Sequence, residues 1–500
     1  MTGPGLLSLL IFIPMVSSLL IYLLGRMRAE AGKYFALAIS LVVLILAIVI
    51  FTEFSSTDTI LNTKLMENIT WAPNLGLTYL LSVDGISLPL ILVSALLTAL
   101  VVAGSFHQIH EKEPAYYALL MVFEGAIMGV FTSVNLILFF VFWELVLIPM
   151  FFFIGVLGGP RRRYAAMKFI IYTTAGSVVM LLGFVALYFN LPSGGVVRPS
   201  FDLPGIWQLM SNPNALSQTV KLLVTAAVFF GFAVKLPVVP FHTWLPDAHV
   251  EAPAPISVLL AGLLLKMGGY GFIRISLTLF PDITHIVSPV YITLGLISIV
   301  YAGVVATIQD DLKRLIALTS INHMGYVLVG AYSALPIGIA GSVFQMFNHA
   351  CAIGLLFLLT GVLHDNAGTR LVSQLRGLQV AMPLTSALLA VGSFAAIGMP
   401  GLSNFLSEFM IITAAVQFNW LLGVILLGPA ITAGYFMWMM SRVIFSQPAA
   451  GSKMHEAPRL DLIVLACFLI PVFILGVYPA PMLDKINPAV QFLVHNILGR

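Results

Sequence analysis

Long apolar runs separated by short polar breaks repeat along almost the whole chain, from Leu6 to Val477. A helix needs about 20 residues to cross about 30 Å of hydrocarbon, and these runs reach that length. Divided at polar or Pro/Gly breaks, they predict spans at 4–24, 33–51, 81–106, 114–131, 134–157, 164–190, 218–238, 254–279, 287–308, 312–334, 337–363, 381–416, 420–445 and 460–478. The expected fold is an all-α polytopic membrane protein with about fourteen spans. Thr52–Tyr79 and Leu191–Ser217 are the only long stretches outside the bilayer, and both read as surface loops. The first apolar run, Met1–Leu24, is too long for a signal-peptide core and has no charged leader, so it counts as a span.

Composition agrees with the pattern. Hydrophobic residues make up 60% of the 500 and charged residues 9%, far below the roughly one quarter of a soluble domain. The net charge of +3 is spread over many loops, which gives no basic face for nucleic acid. Cys351 and Cys467 are the only cysteines, too few for an iron–sulfur cluster, which typically takes four thiolates. Gly269-Tyr270-Gly271 lies inside a span and lacks the third glycine of a dinucleotide fingerprint. No cofactor and no metal is therefore expected on this chain.

Lysine and arginine divide the loops into two sets. Arg26, Arg28, Lys33, Lys112, Arg161, Arg162, Arg163, Lys168, Lys313, Arg314, Arg370, Arg376, Arg442, Lys453 and Arg459 fall on one side. The other side has Lys64, Arg198, Lys221, Arg274, Lys485 and Arg500. The richer set is expected in the cytoplasm, which places both termini on the extracytoplasmic face of the plasma membrane.

Spans four to thirteen divide into two blocks of five. An odd number of crossings makes the second block enter from the opposite side, the inverted-repeat arrangement. The expected organisation is three helices over 1–110, a first repeat over 111–280, an inverted second repeat over 281–446, and a final helix and tail over 447–500. In each block proline breaks the fourth span, at Pro237 and Pro240 in the first and at Pro400 in the second. Each broken span carries an ionisable group, Lys235 or Glu408.

A charge at bilayer depth costs at least about 2.5 to 3.5 kcal/mol, so each one needs a partner or a task. Six groups meet that test: Glu144, Lys235, Lys266, His323, His349 and Glu408. Glu144 has no basic residue within two turns on its own helix, which makes Lys235 its natural partner, as a proton switch or as a packing ion pair. Lys266 precedes Gly268-Gly269, which thin the helix for water or for close packing. His323 and His349 read as relays or as packing residues. Glu124 is also intramembrane, and its role stays open between assisting Glu144 and bonding a nearby hydroxyl. Beyond Lys235, His242, Asp247, His249 and Glu251 crowd a polar segment without metal-ligand spacing, which reads as a proton mouth or a structural cap.

The run Lys235 to Pro253, with Phe241-His242-Thr243-Trp244-Leu245-Pro246-Asp247-Ala248-His249 at its centre, resembles the antiporter-like subunits of complex I. It is similar as well to their relatives in multisubunit sodium/proton antiporters and membrane-bound hydrogenases. The resemblance covers about residues 80 to 445. It implies a proton channel of two inverted repeats, with Glu144 and Lys235 as the glutamate–lysine pair, Lys266 as the central lysine, and His323 and His349 as connecting histidines. Relatives usually carry lysine where this chain has Glu408; glutamate there, and the absence of a lateral helix, resemble the M-type branch.

That branch implies partners: other membrane-arm subunits of the L, N, K, A, J and H types, and a peripheral redox arm. Flavin, iron–sulfur clusters and a quinone-type carrier would reside in those partners, and electrons would come from NADH, ferredoxin or reduced coenzyme F420. Two other readings are a stand-alone cation/proton antiporter, which would share the lysines without an electron donor, and a solute carrier with a midplane pocket.

Overall fold

The computed structural model describes residues 5–55, 64–72, 75–192, 200–210, 212, 214–448 and 454–499. Arg198, Lys453 and Arg500, three of the cations that divide the loops, lie outside them, as does Pro4 of the first expected span.

Among the described residues, twelve helices are long and apolar enough to cross a membrane: Leu6–Met27, Ala29–Glu53, Glu113–Thr132, Leu136–Leu157, Arg162–Asn190, Gln218–Lys235, Ala254–Leu279, Pro281–Ala306, Leu312–Tyr332, Pro336–Ala367, Trp420–Val443 and Arg459–Val477. Two shorter apolar helices, Leu88–Gly104 and Pro383–Ile397, accompany them. Helices satisfy their own backbone groups, which is what a solvent without hydrogen bonds demands.

Ala254–Leu279 and Leu312–Tyr332 are fully buried over their apolar windows and Pro336–Ala367 nearly so; these three form the centre of the bundle. Around them, Leu6–Met27, Ala29–Glu53, Arg162–Asn190 and Arg459–Val477 turn large apolar side chains such as Leu19, Ile45, Leu182 and Ile474 outward. Apolar side chains on the outer surface are what lipid requires of a membrane protein.

The chain is mostly helical, as expected, and the two stretches read as surface loops carry short elements of their own. Glu67–Ala72 and Leu77–Leu81 pair as an antiparallel hairpin within the first of those loops. Its Glu67 accepts the amides of Leu7 and Ser8 at 2.8 and 3.1 Å, and so caps the otherwise unpaired start of the first helix. The second loop contains the helix Leu203–Met210, tied down where Asn135 Nδ2 donates to Asp202 at 2.9 Å. The helix expected from 287 begins at Pro281, since proline at the first helical position is favourable.

Several cations assigned to loops belong to helices and are paired. Arg274 is buried and donates to Asp84 at 2.5 Å. Lys221 meets Asp282 and Lys168 meets Asp247, each at 2.7 Å. Lys313 is buried, its amine on the carbonyl of Ala252. Each partner offsets part of the cost of taking a cation out of water.

Candidate functional site

The helix Gln218–Lys235 stops at Lys235 because Pro237 and Pro240 have no amide to donate. The carbonyl of Ala233, which would pair with residue 237, takes the amide of Val238 at 2.9 Å instead. That of Val234 accepts Trp244 Nε1 at 2.9 Å, and the Val239 amide donates to Ser298 Oγ at 3.0 Å. One backbone amide and two side chains thus take up groups at the break, and the chain resumes as a helix at Trp244–Glu251.

Lys235 is buried at this break. Its amine lies 4.7 Å from the centre of the Trp143 indole, a cation–π contact, and the indole is itself held by a 2.9 Å bond to Ser177 Oγ. Lys235 and Glu144 form no direct ion pair: among the described residues the two are not within 4 Å, and Lys235 Nζ and Glu144 Oε1 have no hydrogen-bond partner. They remain within Coulombic reach. Glu144 sits where its own helix yields, since Pro149 leaves the Leu145 carbonyl without an amide and the helix divides at Val146.

Lys266 lies between two π-helical turns, Leu260–Leu264 and Phe272–Ser276, widenings that recur at functional sites. Its amine donates to the Ala261 carbonyl at 2.5 Å and meets His349 Nδ1 at 2.6 Å. A lysine donating there leaves the ring proton on Nε2, which has no protein partner. The glycines after Lys266 serve close packing: a Cβ on Gly268 would stand 2.7 Å from the Leu236 amide nitrogen, and one on Gly269 2.5 Å from Met346 Sδ. Lys266 and the Lys235 break are therefore pressed together through Gly268.

From His349 the polar line continues. Its ring meets that of His323 edge to face, centroids 5.3 Å apart, and His323 Nε2 stands 3.7 Å from Glu408 Oε1. The second broken span comprises Pro383–Ile397 and Ser403–Phe418. Pro400 cannot pair with the Ala396 carbonyl, and His323 faces that carbonyl. Gly398, at φ 79°, ends the first half; a Cβ there would lie 2.8 Å from Glu408 Oε2. Glu408 thus reaches back toward the break, as helical side chains tilt toward the N-terminus.

Sequence reading found His323, His349 and Glu408 but missed the uncharged polar residues beside them on this path. Thr319, Asn322, His323 and Tyr326 lie on one face of their helix; Gln345, Asn348 and His349 on a second; Asn404, Ser407 and Glu408 on a third, and all are buried. Asn348 Nδ2 joins the Ser403 carbonyl at 2.9 Å and Ser407 Oγ at 3.2 Å, and Tyr435 donates to Thr319 at 2.9 Å. The signal was available as polar residues at three- and four-residue spacing inside apolar helices.

Glu124 is fully buried, and neither carboxylate oxygen has a hydrogen-bond partner, so the bonded hydroxyl is not found. The segment after Lys235 forms no metal cluster among the described residues. Asp247 goes to Lys168, Glu251 accepts the Arg161 amide at 2.8 Å, His242 meets the Tyr301 ring, and His249 stacks on Phe357 at 4.3 Å.

The sequence profile of the NADH:quinone oxidoreductase/Mrp antiporter transmembrane family matches residues 133–432, a stretch that holds all six groups from Glu144 to Glu408. The chain belongs to that family. NADH-quinone oxidoreductase subunit M of Rickettsia conorii, a relative, is 35% identical, covering 98% of each chain. F(420)H(2) dehydrogenase subunit M of Methanosarcina mazei is 34% identical over 95% of each. A chain of respiratory complex I from Thermus thermophilus, solved with bound NADH, superposes with a TM-score of 0.86 at 25% identity, covering 98% of this chain and all of that one. This family member is therefore similar to M-type subunits over nearly its whole length.

Proposed function

We propose that the chain is the M-type membrane-arm subunit of a complex I type oxidoreductase and moves protons while partner subunits carry out electron transfer. The observation that carries this reading is the continuous buried line Lys266–His349–His323–Glu408, reached from the Glu144–Lys235 region through the Gly268 contact. Neutral and charged forms of neighbouring bases cannot both be favoured in a dry interior, so a proton placed on one group shifts the affinity of the next.

In this reading the chain crosses the membrane fourteen times: the twelve long helices together with Leu88–Gly104 and the broken pair Pro383–Ile397 and Ser403–Phe418. Two inverted five-helix blocks account for the two proline breaks. Matched span for span, Glu144 corresponds to His323 and Lys235 to Glu408. Acid and base exchange places between the blocks: acid on the second span and base on the broken fourth in one, the reverse in the other. A proton leaving Lys235 when Glu144 moves away is offered to Lys266, and from there to the histidine pair and Glu408. The basic loops face the cytoplasm and both termini lie outside it.

Partners under this proposal are the L-, N-, K-, A-, J- and H-type membrane subunits and a redox arm with flavin and iron–sulfur clusters; the electron carrier is a quinone or methanophenazine. Mass spectrometry of the intact complex purified through this chain tests it. Recovery of flavin and iron–sulfur subunits is expected. Recovery of membrane subunits alone, with cation/proton exchange but no electron donor, would make it a stand-alone antiporter.

A further inference from the structure

The central helix Ala254–Leu279 is buried over its whole apolar window. It carries Lys266, Tyr270 and Arg274 at four-residue intervals, which sets them along one face. The helix begins beside Ala252, the carbonyl partner of Lys313, so Arg274 lies near the end of the bundle opposite the basic loops, about 12 Å beyond Lys266. It has no part in the line from Lys266 to Glu408. Tyr270 fills the interval: its ring centre is 5.6 Å from the guanidinium carbon of Arg274, and the ring packs edge to face on Phe131, centroids 5.5 Å apart. Lys266, Tyr270 and Arg274 are all buried.

Asp84 fixes the guanidinium. It is buried in the turn that opens the helix Leu88–Gly104, and one of its carboxylate oxygens accepts Arg274 Nη2 at 2.5 Å and the amides of Ile86 and Ser87 at 3.0 and 3.1 Å. The turn is pinned in its own right, since Gly85 leaves no room for a Cβ against the Lys485 carbonyl of the helix Ala480–Phe492. The charges of this site do not cancel. A single carboxylate meets a guanidinium, two amides and the positive end of a helix dipole, while Arg274 Nε has no hydrogen-bond partner. The balance left in the dry interior is positive.

We propose that Arg274, held by Asp84, is the barrier that stops protons on Lys266 from leaving along the central helix toward the end opposite the basic loops. This rests on the proton-transfer reading above. A lysine can hand its proton on, whereas a guanidinium keeps its own, so no proton hops through Arg274. A hydronium ion does not approach it either, because like charges repel strongly where the dielectric is low; an arginine excludes protons from water-filled pores in the same way. A proton on Lys266 is left with the histidine side and Glu408.

The test uses the whole complex in sealed membrane vesicles, with assembly checked on native gels, and reads the decay of an imposed pH gradient when no electron donor is present. Asp84→Asn combined with Arg274→Gln keeps a hydrogen bond and removes both charges together, which avoids stranding either one in the interior. Decay at least ten-fold faster than in the parent is expected. Adding Lys266→Ala to this double variant should return the decay to the parent rate, because the leak runs through Lys266. Parent-rate decay in the assembled double variant would overturn the proposal, and so would a leak that persists after Lys266→Ala, the mark of a general packing defect. Lys266→Ala alone tests the reading beneath. If it stops pumping while the double variant stays tight, the barrier alone fails; if it pumps as the parent does, the functional reading fails with it.

Discussion

His323 Nε2 and Glu408 Oε1 stand 3.7 Å apart in the buried centre of the protein, slightly beyond a direct hydrogen bond and within reach of one after a small side-chain movement or through one water. The same spacing logic governs Lys235, which faces Trp143 at 4.7 Å with Glu144 nearby and unbonded. Neither pair is joined by a direct hydrogen bond.

Lys235 and Glu144 should therefore behave as a coupled pair. Lys235→Ala and Glu144→Ala should each stop proton transfer, and Lys235→Arg should also block it, because a guanidinium keeps its proton. A packing ion pair predicts the reverse: arginine tolerated, and activity recovered in the Lys235→Ala, Glu144→Ala double variant. Proton pumping in membranes containing these four variants, with assembly confirmed, separates the two.

Gly268 should tolerate no side chain. An alanine Cβ would stand 2.7 Å from the Leu236 nitrogen and 3.0 Å from the Phe232 carbonyl, both backbone atoms with little freedom to yield. Gly268→Ala should destabilise the subunit by about 1–3 kcal/mol, the usual range for overpacking, and displace Lys235 from Lys266. Thermal unfolding of the purified complex and its pumping should both fall; unchanged values would show that this contact is loose.

Glu456 should give a local pH dependence. Partial burial raises its affinity for a proton, but bonds from the Thr385 hydroxyl and the amides of Leu384, Ala457 and Thr385 outweigh it and hold the carboxyl below its usual range. A lowered folded value adds stability that is present above the unfolded value and lost as pH falls through the folded one. Glu456→Gln should loosen the start of the helix Pro383–Ile397 by about 1 kcal/mol at neutral pH, the size of a lost cap, and match the parent once the pH has fallen below the lowered folded value of that carboxyl. Hydrogen exchange at Leu384 and Thr385 reads this directly, and a difference that persists in acid would assign the contact to packing.

The side assignment predicts that a cysteine at exposed Gln374 reacts with an impermeant reagent only from the cytoplasm, and one at exposed Asn214 only from outside. The opposite labelling would reverse the topology.

The spans were legible because a bilayer imposes a length and a polarity that no soluble fold shares. Lys235, Lys266 and Glu408 were legible for the same reason: charge in hydrocarbon is rare. Pairings were less so. Lys235 faces the Trp143 ring because the break at Pro237 decides where the lysine points, and that break is tied to Ser298 and Trp244 from other parts of the chain. Lys313 and Arg274 read as loop cations because the chain leaves its apolar runs near them; only the tertiary fold brings Ala252 and Asp84 to meet them. His249 was one polar residue in a crowded string until Phe357 gave it a depth.

The central claim is that protons pass along the buried line that ends at Glu408. Glu408→Gln keeps the side chain's shape and removes its titration, so the decisive measurement is the number of protons pumped per electron by the assembled Glu408→Gln complex in sealed vesicles. Electron transfer with that ratio sharply reduced is the predicted result; the wild-type ratio in a fully assembled complex would contradict it.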